Sequence, residues 1–280
     1  MSTAEIDIER WPEEWLEPRE GFAFRPATVS VSREHQIEKL SLCGLPPEAL
    51  GDSADPSFFI AIGIRAGIAN GISAQGNVNM LQRLVQHRPA RLGEPLRVQG
   101  MIDRVAEVPR GRTVHTDVWF EDAAGERVIA APRTSLKPDP DKAGSRGAGE
   151  RPPPVVEDVD ALEQFSTHTL TPEIVKGYSS EGNSIHYEME AANKAGFRAP
   201  LIGGGMGVHY LLSALWQHSP PERLDLDIYF RRPIFWDDTF SVAVDAGADG
   251  WRAMALVKDG KVLTEARINE FVPLASGAGG

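Results

Sequence analysis

Two residues with matched proton-transfer chemistry stand five apart in this chain, Glu181 and His186, inside the segment YSSEGNSIHYEMEAANKAGFRAPLIGGGMG that runs from Tyr178 to Gly207. A carboxylate and an imidazole on one short loop can share a water molecule. One of them takes or returns a proton while the other orients the water. Downstream, Gly203 and Gly204 open an apolar stretch with helical spacing. The N-terminus of a helix presents unpaired N–H groups and the positive end of the helix dipole, so this entry can stabilise a developing oxyanion. The absence of β-carbons there lets a carbonyl approach closely. Acid, base and oxyanion donors in one segment are the parts needed to add a nucleophile to a polarised, conjugated carbonyl compound, or to eliminate one from it.

The elements that must position these groups repeat along the chain. PDPDKAGSRGAGERPPP, Pro138 to Pro154, holds five prolines and three glycines and almost nothing apolar, so it reads as an exposed linker. It separates segments 20–137 and 155–273, preceded by an acidic lead at 1–19 and followed by a small-residue tail at 274–280. The two segments match in order. Each begins with a short β-type run and an amphipathic stretch, Thr28 to Gly44 and Thr167 to Gly182, with Thr171 and Pro172 suited as N-cap and first helical residue in the second. Each continues through an Ala/Gly-rich helical stretch. Arg88-Pro89 and Arg232-Pro233 then fall at equivalent places between two strand patterns. Each closes with two more β-like runs, with turns at Ala124-Gly125 and Asp259-Gly260. Val114, Thr116, Val118 and Phe120 alternate as in a strand with one buried face. The expected class is α+β: two antiparallel sheets, each wrapped around a central helix, in units able to join edge to edge.

The segment from Tyr178 to Gly207 resembles the signature of the MaoC-like (R)-specific enoyl-CoA hydratase/dehydratase family. Asn183, Ile185, His186, Ala191, Gly196, Phe197 and Pro200 keep their places in that pattern. The chain departs from it at Glu181, where the family has Asp, at Ser180 for Gly, at Ser184 for Pro, and at Gly203 for a His that often precedes the oxyanion glycine. The two-segment length resembles fused members of the family. The resemblance implies a double hot-dog fold, with a non-catalytic N-terminal unit over 20–137 and a catalytic unit over 155–273. It implies a hydro-lyase acting on an acyl thioester, an enoyl-CoA or 3-hydroxyacyl-CoA. Glu181 and His186 are then the catalytic pair, Gly203 and Gly204 the thioester-binding donors, and Tyr178, Asn183, Phe197 and His209 the substrate pocket. Arg231 and Arg232 are candidates for the coenzyme A phosphates, since guanidinium groups suit phosphate oxygens. Coenzyme A enters as part of the substrate, and no separate cofactor or metal is implied. Two alternatives stand beside this one: a non-catalytic acyl-CoA-binding protein or partner subunit, and another thioester or lyase reaction on the same fold.

Aligned through Ala66-Gly67 and Ala195-Gly196, Ser57 or Phe58 falls at the place of His186; aligned through Gly44 and Gly182, Cys43 falls at Glu181. Neither catalytic residue type recurs, so Phe58, Phe59, Ile60 and Ile64 are expected in the core or the tunnel wall. The GGGMG run lacks the strand–loop–helix setting of a dinucleotide loop. Cys43, the single cysteine, is expected to be a buried, inert thiol, and neither His209 nor His218 has a second ligand at metal spacing. Trp11 and Trp15 suggest a small helix packed on the body. A net charge of -11 argues against a nucleic-acid partner. The run from Phe58 to Ile72 is interrupted by Arg65 and too short to span a bilayer. With one cysteine and an acidic start at Met1, a cytoplasmic protein without a membrane partner is expected. A homodimer is compatible with the fold but not required by it.

Overall fold

The computed structural model describes residues 5–142, 152–179, 183–248 and 250–275. The N-terminal half opens with β1 (Ala27–Val29) and α1 (Arg33–Leu42), whose N-cap Ser32 accepts a hydrogen bond from the His35 N–H. The central helix α2 (Phe58–Ala69) follows, then β2 (Val78–Gln86), β3 (Leu96–Val108), β4 (Gly111–Glu121), β5 (Arg127–Ala130) and β6 (Arg133–Pro138). β5 and β6 act as one strand, because their pairing with β2 and β4 keeps the same register on both sides of Ala131-Pro132. The interruption falls at Pro132, which has no N–H to give to a ladder. The expected alternation in β4 is present: Val114, Thr116, Val118 and Phe120 all point into the core.

The second half repeats the plan. β7 (Glu163–Thr169) leads into α3 (Pro172–Tyr178), where Thr171 Oγ1 accepts from the Ile174 N–H at 3.3 Å. A short 3-10 turn over Ser184–His186 and α4 (Met189–Lys194) come next, then the central helix α5 (Gly204–His218). α5 is buried continuously from Met206 to Trp216, as befits a helix apolar on every side. β8 (Pro221–Phe230), β9 (Thr239–Gly247), β10 (Gly250–Lys258) and β11 (Lys261–Pro273) complete the half. The β10–β11 turn carries positive φ at both Asp259 and Gly260, the geometry that suits the twist of a tight hairpin.

The expectation of two sheets is corrected: the strands form one 11-stranded sheet in the order β1-β3-β4-β5-β2-β8-β11-β10-β9-β7, with β6 between β2 and β4. The second half of that order repeats the first in mirror sequence. The join is antiparallel pairing of β2 with β8, from Leu81 opposite Tyr229 to Gln86 opposite Leu224. Each half would otherwise leave this long strand with an open edge, and pairing satisfies both rows of backbone groups at once. Leu84 and Leu226, opposite one another at the seam, are both 0% exposed.

Two further expectations change. Trp11 and Trp15 do not lie on a helix; the lead runs irregularly across the body, with Leu16 bridged to Ile72 and Arg65 donating to the Ile8 carbonyl. Pro12 between the tryptophans disfavours a helix. Of the linker, residues 143–151 lie outside the described residues; Pro140–Lys142 forms a short 3-10 turn, and Arg231 holds the carbonyls of Pro152 and Pro153. Among the described residues no helix is long and apolar enough to cross a membrane.

Candidate active site

The loop carrying His186 is fixed at both ends by backbone bonds. The His186 N–H reaches the Asn183 carbonyl, and the Leu201 N–H reaches the Ile185 carbonyl. Gly196, at φ 87°, makes the turn after α4 that only a residue without a β-carbon adopts readily. The chain then ties to the β8–β9 connection through Ile202 to Ile234 and Trp236 to Pro200 before Gly203 caps α5. His186 and the start of α5 are thereby held against the same space.

That space is a cavity of about 340 Å³. His186, Asn183, Phe197, Gly203 and Gly204 all line it. His186 Nδ1 lies 2.7 Å from the Leu201 carbonyl oxygen, which can only accept, so this nitrogen carries the proton. Nε2 then carries the lone pair and has no hydrogen-bond partner among the described residues. Burial of the imidazole lowers its pKa below the ordinary histidine value, and the bond to Leu201 offsets that only in part. The ring is therefore neutral near pH 7 and presents a base.

Gly203 supplies no side-chain cap, so the first-turn N–H groups of α5 keep no partner of that kind. A β-carbon on Gly204 would come within 2.9 Å of the Phe230 ring and 3.5 Å of Asn79 Nδ2. Asn79 thus stands beside the helix entry. Its Oδ1, together with Asn183 Oδ1, is buried without a partner among the described residues. Glu181, with Ser180 and Gly182, lies outside the described residues.

Two expected pocket residues sit elsewhere. His209 is fully buried on α5 and does not line this cavity. Its Nδ1 lies 2.7 Å from Asp55 Oδ2 and 2.5 Å from Ser57 Oγ, and the Ser57 hydroxyl donates to Asp55 Oδ1 at 2.5 Å. A nucleophilic relay needs serine and carboxylate on opposite imidazole nitrogens. Here both use Nδ1, and all three side chains are buried, so the cluster joins the halves rather than activating the serine. Tyr178 packs edge-on against His209 and lines a second cavity beside α1 and α2, with Phe58. Ile60 and Ile64 face the first cavity, while Phe59 packs on Phe120 in the core.

Position in the fold also corrects the alignment of the halves. Ala66-Gly67 belongs to α2, whose counterpart is α5, so Ser57 stands where Gly203 does, at the entry of the central helix. In the first half that entry is filled by Asp55 and Ser57; in the second it is bare glycine. Cys43 is buried, and burial pushes its thiol pKa up to about 12, which leaves it inert. Among the described residues no group of His, Cys, Asp and Glu is placed to hold a metal.

Arg231 is already engaged: its guanidinium pairs with buried Glu265 and holds Pro152 and Pro153. Of the proposed phosphate contacts only exposed Arg232 is accessible, with Nη1 bonded to the Val262 carbonyl. Sequence reasoning missed Asn79, Arg133 and Ser135, contributed by the N-terminal half, and the placement of Trp11 and Trp15 on the cavity wall. Nothing in a strand pattern marks which polar residue faces a cavity formed with another part of the chain.

No protein-family profile matches the sequence, and no curated protein matches it. Solved structures do. HtdX of Mycobacterium tuberculosis aligns over 86% of this chain and 98% of its own, with a TM-score of 0.69 and 19% identity. A MaoC-like dehydratase from Phytophthora capsici aligns over 89% of this chain and 96% of its own, with a TM-score of 0.65 and 16% identity. A further M. tuberculosis protein, described as having a double hotdog fold, aligns over 89% and 95%, with a TM-score of 0.60 and 16% identity. The chain has the double hot-dog fold found in MaoC-like dehydratases.

Proposed function

We propose that this chain is a hydro-lyase that adds water to, or removes it from, an acyl thioester, with the enoyl-CoA and 3-hydroxyacyl-CoA pair as its substrate and product. The observation that carries this reading is His186, with Nδ1 held by the Leu201 carbonyl and Nε2 without a partner among the described residues, in one cavity with the uncapped glycine entry of α5. In hydration, Nε2 takes a proton from water as the water oxygen bonds the β-carbon, and Glu181 delivers a proton to the α-carbon. The product gains one water, and a proton passing from His186 to Glu181 resets the pair. Charge that builds on the thioester oxygen meets the first-turn N–H groups of α5 and the Asn79 amide beside them. The likeness to MaoC-like dehydratases supports the same chemistry at the level of fold.

The test is loss of the conjugated enoyl-thioester absorbance over short, medium, branched and aromatic enoyl-CoAs, for the wild type, Glu181→Gln and His186→Ala. Turnover by the wild type that collapses in both variants is the expected result. Acyl-CoA binding without turnover of any member would replace this reading with a binding protein.

A further inference from the structure

The arginines of this chain that approach a carboxylate are paired with it: Arg83 with Asp225, Arg88 with Glu94, Arg198 with Asp237, Arg231 with Glu265. Arg133, in the wall of the candidate active-site cavity, is different. Among the described residues it has no ion pair or hydrogen bond, and its Nε is buried without a partner. Desolvation alone acts on it, pulling its pKa down to about 10, still cationic at neutral pH. Among the described residues, its neighbours on the adjoining strands carry no opposite charge. Gln82 and Thr116 stand opposite on β2 and β4, both buried and uncharged, and the guanidinium lies against α2 at Gly67 and Phe24.

The position is tied to the site. Arg133 lies two residues from Ser135 on β6, on the same face, and Ser135 pairs with Asn79, whose amide stands beside Gly204. Two residues of strand span about 7 Å. Arg133 thus sits one strand repeat from the residue paired with Asn79, and its guanidinium reaches across the same cavity wall to Gly67 on α2. Among the described residues no Asp or Glu lines this cavity, and Glu181, assigned above to the α-carbon, lies outside them.

Arg133 is half-buried, and a partly desolvated guanidinium without a counter-charge favours a ligand that supplies one. A guanidinium matches a carboxylate in a two-point geometry that neither an alkyl chain nor a lone hydroxyl reproduces. We infer that the cavity takes an acyl thioester whose acyl group carries a second carboxylate, a dicarboxylic acid in thioester linkage at one end, with Arg133 of the N-terminal half binding the free end. This rests on the thioester reading above and narrows its substrate class. It also gives the N-terminal half a specificity role.

The test uses saturated, unreactive ligands, so binding is read apart from turnover. Malonyl-, succinyl-, glutaryl- and adipyl-CoA are each titrated calorimetrically into the full chain against the methyl-ended counterparts propionyl-, butyryl-, pentanoyl- and hexanoyl-CoA. At least one carboxylated ligand is expected to bind tenfold or more tightly than its counterpart. Arg133→Met should abolish that preference while leaving the methyl-ended ligand within about twofold, and Arg133→Lys should keep part of it. Equal or weaker binding of every carboxylated ligand overturns the inference, with no variant needed, and so does failure of all eight to bind. Equal weakening of both ligands by Arg133→Met would assign the residue to the coenzyme A portion and also overturn it. A carboxylate preference without any enoyl-CoA turnover would leave the inference standing and remove the hydro-lyase reading.

Discussion

At the scale of single residues, His186 was legible as a residue and illegible as a state. Its place in the Asn183–Pro200 pattern marks it, but its tautomer is set by the backbone carbonyl of Leu201, which no side-chain type announces. The consequence is a pH dependence with a definite sign. Nε2 must be unprotonated to take a proton, and burial holds its pKa below the ordinary value of 6.5. The acidic limb of the kcat/KM profile should therefore lie below 6.5, whereas loss of rate at higher pH reports ionisation of the acid that protonates the α-carbon. A pH–rate series checks this, and an acidic limb centred at or above 6.5 would contradict the neutral, buried imidazole. His209 teaches the opposite lesson. Its spacing from the glycine turn suggested a pocket lining, yet Asp55 and Ser57, more than 150 residues earlier in the chain, hold it in the core.

At the scale of elements, the two central helices share a place in the fold and differ at their entries. The α2 entry is packed with polar side chains, while the α5 entry carries only glycines. Helix and strand patterns, caps and turns could be read because each depends on neighbours in sequence. The equivalence of α2 with α5 could not, because local Ala-Gly matches drew the alignment to the wrong helix. Gly204→Ala tests what the bare entry is for. Its new β-carbon meets the Phe230 ring at 2.9 Å, so ring or helix must move. The expected costs are about 1–3 kcal/mol of stability and, from displacement of the oxyanion donors, a loss of order 100-fold in kcat/KM. Gly205→Ala, whose β-carbon meets only the Ser57 carbonyl at 3.9 Å, should leave stability within about 1 kcal/mol. Urea titration of the two variants makes the comparison, and equal destabilisation would count against a crowded entry at Gly204.

At the scale of the whole molecule, the two units meet edge to edge at the β2–β8 seam, and the Asp55–His209 cluster adds buried polar contact between them, so the halves share one sheet. Edge-to-edge joining was legible, but which strands form the junction was not, because an edge strand has the same alternating pattern whether its outer side meets water or another strand. The junction also explains why the cavity draws Asn79 and Arg133 from the first half and His186 and Gly203 from the second. The halves should unfold together. Leu226→Ala, at a seam position with 0% exposure, should cost about 2–5 kcal/mol. It should move a single denaturation transition followed by both tryptophan fluorescence and circular dichroism. Two separated transitions in the wild type would contradict a continuous sheet.

The central claim is that Glu181 and His186 carry out proton transfer on an enoyl thioester at the α5 entry. The most direct measurement is the rate of enoyl-CoA absorbance loss for the wild type, Glu181→Gln and His186→Ala under identical conditions. The account predicts measurable wild-type hydration, reduced by about 100- to 10,000-fold in each variant. Wild-type turnover that survives His186→Ala within a factor of about three would contradict it.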